Sequence, residues 1–102
     1  MTLRKIFAAT SLALFAFSAQ AQDLVINGGF ESDVITSGTW GTYTSLVGWT
    51  GQPNIELRNN IAGTAQSGSN YVELDTGGNS KMYQDILGTG LVNLSFFYAA
   101  RP

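Results

Sequence analysis

Apolar and polar positions alternate in several short stretches of the chain, and this period of two is typical of half-buried β-strands. In residues 55–58 and 71–75, aliphatic side chains take one face and polar or charged side chains take the other. Clusters of Gly, Asn, Ser and Thr separate these stretches, and helical periodicity is absent after residue 21. The pattern therefore predicts an all-β fold with antiparallel strands near residues 24–27, 55–58, 71–75, 81–86 and 91–98.

The first 21 residues carry a different pattern. Arg4 and Lys5 precede an apolar run over residues 6–17, and Ala19-Gln20-Ala21 supplies a small-x-small cleavage site. These three features indicate a secretory signal peptide, and the run is shorter than the ~20 residues that a membrane-spanning helix needs. We therefore expect residues 1–21 to be removed during export, and residues 22–102 to form a secreted or cell-surface domain with no membrane span.

Composition narrows the classes of function. Residues 22–102 contain three basic and seven acidic residues, a net charge of −4. Binding to nucleic acid or to an anionic membrane needs clustered Lys and Arg, which this part of the chain lacks. The sequence contains no His and no Cys, so histidine-based or cysteine-based catalysis, imidazole or thiolate zinc sites and disulfides are excluded.

Two carboxylates raise the question of glycoside hydrolysis. Glu73 and Asp75 lie on one face of a predicted strand, and paired carboxylates can perform this reaction. Same-face acids are nevertheless common on strands without catalysis, and the short predicted loops offer no deep cleft. We therefore expect no enzymatic activity.

Residues 24–31 join an apolar run, a glycine turn, an aromatic anchor and one carboxylate. Asn27-Gly28-Gly29 tolerates positive φ, so the backbone can turn there and direct Phe30 into the core. Glu31 then stands beside that anchor, and calcium prefers several oxygen ligands, including carboxylates and main-chain carbonyls. Two interpretations remain open: Glu31 is a solvated side chain, or it binds a structural calcium ion with Asp75 as a companion ligand.

Trp40 and Tyr43 stand among small polar residues in the segment 32–45, whose composition is typical of an exposed loop or an edge strand. Sugars stack on aromatic faces, so the two rings are candidates for a carbohydrate platform; the alternative is that they cap the core. Arg58 is a further candidate sugar contact. Its alternation with Glu56 favours a structural ion pair with a neighbour across the sheet over a binding site.

Two features further along the chain bear on packing. Residues 81–86 place Met82, Gln84 and Ile86 on the inner face, and an inward amide needs hydrogen-bond partners, so we expect Gln84 to bind the backbone of a neighbouring loop. In residues 91–98, apolar side chains occupy both faces, as in a central strand of a sandwich. We expect a sandwich that is incomplete at its C-terminus, whose open sheet edge favours oligomers or aggregates.

The order of these motifs resembles that in bacterial secreted proteins with a galactose-binding-like jelly roll, many of which carry a PEP-CTERM sorting tail. The domain is also similar to carbohydrate-binding modules of polysaccharide-degrading enzymes. The resemblance rests on the export signal and on the motifs Val25-Ile26-Asn27-Gly28-Gly29-Phe30-Glu31, Gly48-Trp49, Ile55-Glu56-Leu57, Asn70-Tyr71-Val72-Glu73-Leu74-Asp75, Tyr83-Gln84-Asp85-Ile86 and Leu94-Ser95-Phe96-Phe97-Tyr98-Ala99-Ala100-Arg101-Pro102. Val92 departs from it, because relatives usually have Tyr there. The resemblance implies an antiparallel β-sandwich, and it implies that Glu31 binds a structural calcium.

Three functions are compatible with these observations. The first is a secreted, non-catalytic β-sandwich that associates with polysaccharide or an exopolysaccharide matrix at the cell exterior, with Trp40, Tyr43 and Arg58 as candidate contacts. The second is an accessory binding module of a larger polysaccharide-active enzyme. The third is a purely structural or adhesive surface protein that shares the fold and lacks a sugar site.

Overall fold

A computed structural model describes residues 22–100; the predicted signal peptide, residues 1–21, lies outside the described residues, as do residues 101 and 102. The described part contains four strands, β1 (Thr39–Leu46), β2 (Trp49–Asn59), β3 (Asn70–Glu73) and β4 (Lys81–Tyr83). Every pairing between them is antiparallel. Within residues 22–100 there is no helix with the length and apolar character needed to cross a bilayer. The predicted all-β, antiparallel class is therefore confirmed.

Strand β2 is the centre of the sheet. β1 pairs along one side of it, while β3 and β4 follow one another along the other side, β3 opposite residues 56–59 and β4 opposite residues 50–52. β3 and β4 therefore act as one strand that is interrupted by an excursion over residues 74–80. The strands within residues 22–100 form a single sheet, and the second layer of the predicted sandwich is not among them.

The turn between β1 and β2 consists of Val47 and Gly48 alone. Gly48 has a φ of 79°, in the left-handed region that favours glycine. A Cβ atom at this position would lie 3.1 Å from the carbonyl oxygen of Ile26 and 3.0 Å from Nε2 of Gln84. The tight turn therefore depends on glycine both for its backbone conformation and for the close approach of a neighbouring loop.

Residues 51–54 form a bulge inside β2. Tyr43 pairs with Ile55 but Ser45 pairs with Thr50, so four residues of β2 stand against one residue of β1. The bulge brings the backbone of Gly51 close to the side chain of Ile55. A Cβ atom on Gly51 would lie 2.9 Å from Cγ1 of Ile55. Residues 51–54 do not end the strand, since β2 pairs with β1 on both sides of the bulge and pairs with β4 through residues 50–52.

One face of the sheet carries the apolar core. Ile55 and Leu57 are fully buried, and their predicted inward orientation is confirmed. Leu46 is also buried, and five partly buried apolar side chains pack against this cluster: Phe30, Ile35, Trp49, Val72 and Met82. The ring centroids of Phe30 and Trp49 lie 5.8 Å apart in a tilted arrangement that is favourable for aromatic pairs. Phe30 therefore packs against the core, as predicted, and anchors the N-terminal loop.

Two predicted strands are wrong. Residues 24–27 form a loop that turns at residues 26–29, since Asn27 has a φ of 53° and leaves the extended region. Residues 91–98 carry no regular structure and are exposed, because no described strand pairs with them. Of the two interpretations of residues 32–45, the edge strand is correct for β1. β4 ends at Tyr83 instead of continuing to residue 86.

Candidate functional site

Opposite the core, the sheet presents a polar face. Residues directly opposite one another on antiparallel strands share a face, and successive residues alternate between faces. Trp40, Arg58 and Tyr71 therefore form one row across β1, β2 and β3, and Thr42, Glu56 and Glu73 form the next row. We call this surface of the sheet the polar face. These two rows contribute the residues Trp40, Thr42, Glu56, Arg58, Tyr71 and Glu73.

Arg58 is held between two carboxylates on the polar face. Its Nε donates to Oε2 of Glu56 at 2.6 Å, and its Nη2 forms an ion pair with Oε2 of Glu73. Glu56 is only 3% exposed, so its charge needs this partner. The structural ion pair predicted from the alternation of residues 55–58 is confirmed, and it links β2 to β3.

Hydrogen bonding further stabilises the charged form of Arg58. The side-chain hydrogen bond with Tyr71 is the largest cause that raises the pKa of Arg58 above its ordinary value, and the carboxylate of Glu56 acts in the same direction while burial opposes both. The hydroxyl of Tyr71 also donates to the carbonyl oxygen of Ile61, which fixes the phenol ring in place. The guanidinium is therefore a charged group of fixed position.

The two aromatic candidates lie on opposite faces of β1. Trp40 is directly opposite Arg58 on the polar face, and 57% of the residue is exposed. Tyr43 is opposite the buried Ile55, and its ring lies over Gly41, where a Cβ atom would be 2.8 Å from the tyrosine hydroxyl. The structure therefore brings Trp40 and Arg58 together and separates Tyr43 from both. Trp40 and Tyr43 cannot form one stacking surface.

Glu31 connects the N-terminal loop to the start of β3. Its Oε1 accepts hydrogen bonds from the backbone N–H groups of Ser69 and Asn70 at 2.8 and 2.7 Å. Gly68, with a φ of 66°, leaves room for this carboxylate, since a Cβ atom there would overlap Oε1. Nδ2 of Asn70 returns a hydrogen bond of 2.7 Å to the carbonyl oxygen of Phe30. The carboxylate thus fastens two segments that are 39 residues apart.

Asn27 and Asp33 close the N-terminal loop from within. Nδ2 of Asn27 donates to Oδ2 of Asp33 at 2.8 Å and to the carbonyl oxygen of Val47 at 2.9 Å. Both carboxylate oxygens of Asp33 accept from the N–H of Val47, and Nε1 of Trp49 donates to the carbonyl oxygen of Asn27 at 3.0 Å. Asp33 was not predicted from the sequence; an Asn and an Asp beside a glycine turn are the signal that points to such bonds.

Asp75 closes the excursion between β3 and β4. Its Oδ1 accepts from the N–H of Ser80 at 2.7 Å, and its own N–H donates to Oγ of Ser80 at the same distance. Among residues 22–100 there is no group of three or more acidic, His or Cys side chains placed to hold a metal ion. Glu31 and Asp75 are therefore not members of such a group. A calcium site at Glu31 would need main-chain or other oxygen ligands.

Comparison of the chain with protein-family models, with characterised proteins and with solved structures found no significant match. The resemblance to secreted jelly-roll proteins therefore stays a prediction, and so does the second sheet. The features of the structure that bear on function are the polar face and the hydrogen-bond network that supports it.

Proposed function

We propose that this chain is a secreted, non-catalytic β-protein that binds a neutral polysaccharide at the cell exterior through its polar face. The observation that supports the proposal is the position of Trp40, exposed and directly opposite the fixed guanidinium of Arg58. A sugar ring presents an apolar C–H face and a rim of hydroxyls. An exposed indole beside ordered polar groups complements both parts of the ring.

The charge of the polar face favours a neutral ligand. Two carboxylates, Glu56 and Glu73, are paired with the single guanidinium of Arg58. A polyanionic glycan would be repelled by this local excess of negative charge around Arg58. Because the ion pairs already fix the side chains, binding requires little further ordering, which reduces its entropic cost.

The carboxylates of Glu73 and Asp75 both have partners within the protein, and this supports binding of a sugar without hydrolysis. Glu73 forms an ion pair with Arg58, and Asp75 is hydrogen-bonded to Ser80 in the excursion beyond β3. A general acid and a nucleophile must both face the scissile bond at a defined separation. These two acids instead hold separate parts of the backbone and of the polar face.

A glycan array and a pull-down with insoluble polysaccharides test the proposal on the full chain. We expect the protein to retain one or more neutral polysaccharides, to ignore uronate-rich and sulfated ones, and to release no reducing sugar. Trp40→Ala should abolish retention, whereas Tyr98→Ala, which removes an exposed tyrosine outside the sheet, should not. The proposal would be overturned if the protein bound no glycan at all, or if Trp40→Ala bound as well as the wild type.

Two alternative functions, an accessory module of an enzyme and a structural or adhesive protein, lead to different expectations. An accessory module of a polysaccharide-active enzyme would use the same polar face, and the reading frame beyond Pro102 separates that case from a protein that acts alone. A structural or adhesive surface protein would bind no sugar and would self-associate. The exposed apolar side chains of residues 91–98 favour that alternative.

A further inference from the structure

The polar face continues to the opposite end of the sheet. Thr50 of β2 is opposite Ser45 of β1 and Tyr83 of β4, so these residues form a row. Met82 packs against the core, which directs its neighbours Lys81 and Tyr83 to the other side of the sheet. Ser45 is an odd number of positions from Trp40, but the register shift between Tyr43 and Ser45 changes the alternation, and the neighbouring Leu46 lies in the core. The polar face therefore also includes Ser45, Thr50, Lys81 and Tyr83.

Tyr83 gives this end of the face a second exposed aromatic ring, with 46% of the residue accessible to solvent. An isolated exposed tyrosine is ordinary on a protein surface. The placement of Tyr83 is informative because its row shares a face with the row of Trp40 and lies beyond the ion pairs of Arg58.

The separation of the two rings is set by the strands. Trp40 and Ser45 are five positions apart on β1, or about 16 Å at ~3.3 Å per residue. Tyr83 lies two strands away from Ser45, which adds a lateral offset of about 10 Å. A disaccharide cannot reach both rings, whereas a chain of several sugar units can. The exposed side chains of Thr42, Thr50 and Lys81 offer hydrogen-bonding groups to a ligand that crosses this region.

We propose that Tyr83 is a second stacking residue and that the ligand is an extended polysaccharide chain which lies across the sheet from Trp40 to Tyr83. This inference rests on the proposed function. It adds a specific requirement: affinity depends on the length of the sugar chain, because only a long chain contacts both rings.

Size-graded oligosaccharides prepared from cellulose, xylan, mannan and galactan test this requirement by titration calorimetry. For the series that binds, we expect affinity to rise from disaccharide to hexasaccharide in the wild-type protein. Tyr83→Ala should weaken hexasaccharide binding about tenfold and leave the shortest ligands unaffected, while Tyr83→Phe, which keeps the ring, should bind like the wild type. Tyr98→Ala is the matched control, and it should change neither affinity.

A second measurement uses the wild-type protein and does not depend on how the variants fold. Nuclear magnetic resonance should show shifts of the Tyr83 ring with hexasaccharide and none with disaccharide. If Trp40→Ala loses binding while Tyr83→Ala binds the hexasaccharide as the wild type does, the inference is wrong and the proposed function stands. If no series binds, both are wrong.

Discussion

The side-chain amide of Gln84 pairs with both main-chain groups of Ile26. Oε1 of Gln84 accepts from the N–H of Ile26 at 2.7 Å, and Nε2 donates to its carbonyl oxygen at 2.9 Å. Nε2 also donates to the carbonyl oxygen of Gly48 at 2.7 Å. One amide thus replaces a missing strand partner and fastens the N-terminal loop to the β1–β2 turn. The predicted binding of Gln84 to a neighbouring loop is confirmed.

Gln84→Ala should destabilise the protein. The substitution removes three hydrogen bonds, and because the main-chain groups are partly exposed, water will replace some of them; we expect a loss of about 1–3 kcal/mol in the free energy of unfolding. Urea denaturation measures this loss. Gln66→Ala, at an exposed glutamine, is the control and should stay within about 0.5 kcal/mol of the wild type. Equal midpoints for the two variants would show that the amide bridge contributes nothing.

Substitutions of Glu31 separate its hydrogen bonds from its proposed binding of calcium. Glu31→Ala removes the acceptor of two backbone N–H groups and should lower the free energy of unfolding by about 1–3 kcal/mol, whereas Glu31→Gln keeps an acceptor oxygen and should cost less. If calcium binds here, it raises the melting temperature of the wild type and not of either variant. Identical wild-type melts in calcium and in excess chelator would exclude the ion.

Arg58→Met should leave the buried carboxylate of Glu56 without its partner. We expect a cost of about 3 kcal/mol, and partial recovery in the double variant Arg58→Met with Glu56→Gln. Lys81→Met, which removes an exposed cation from the same face, should cost less than about 0.5 kcal/mol. Similar chemical-denaturation midpoints for the two single variants would contradict a structural role for Arg58.

The raised pKa of Arg58 also predicts how its contribution varies with pH. A base whose pKa is raised by folding adds stability that is complete below its unfolded pKa and is lost as the pH rises through the folded value. Both values lie far above neutrality, so the difference in stability between the wild type and Arg58→Met should be constant from about pH 6 to pH 8. Denaturation across this interval measures it, and a difference that disappears within the interval would contradict the assignment.

Residues 91–98 should drive self-association. Leu94 is 79% exposed, neighbouring aromatic side chains are equally accessible, and β1 has no described strand on its outer side. An unpaired apolar segment and an open sheet edge favour pairing between two copies of the chain. Sedimentation should therefore detect oligomers that Leu94→Ser with Phe96→Ser reduces. Leu87→Ser, at a still more exposed leucine outside the segment, is the control. A monomeric wild type would refute the prediction.

Local alternation in the sequence by itself determined the antiparallel all-β class, the inward positions of Ile55 and Leu57, and the polar role of Gln84. These features follow from the period of two, which depends only on neighbouring residues. The ion pair of Arg58 was foreseen for the same reason, since alternation placed its charge opposite the core.

The tertiary structure decided which segments became strands and which aromatic rings share a face. A strand exists only where a distant segment completes its hydrogen bonds. β2 pairs with residues 39–46, whereas in residues 24–27 the side chain of Gln84 takes the hydrogen bonds of Ile26. Trp40 and Tyr43 were separated by the same pairing, because three positions along an extended strand place side chains on opposite faces. Long-range pairing, which no local pattern encodes, therefore set the composition of the polar face.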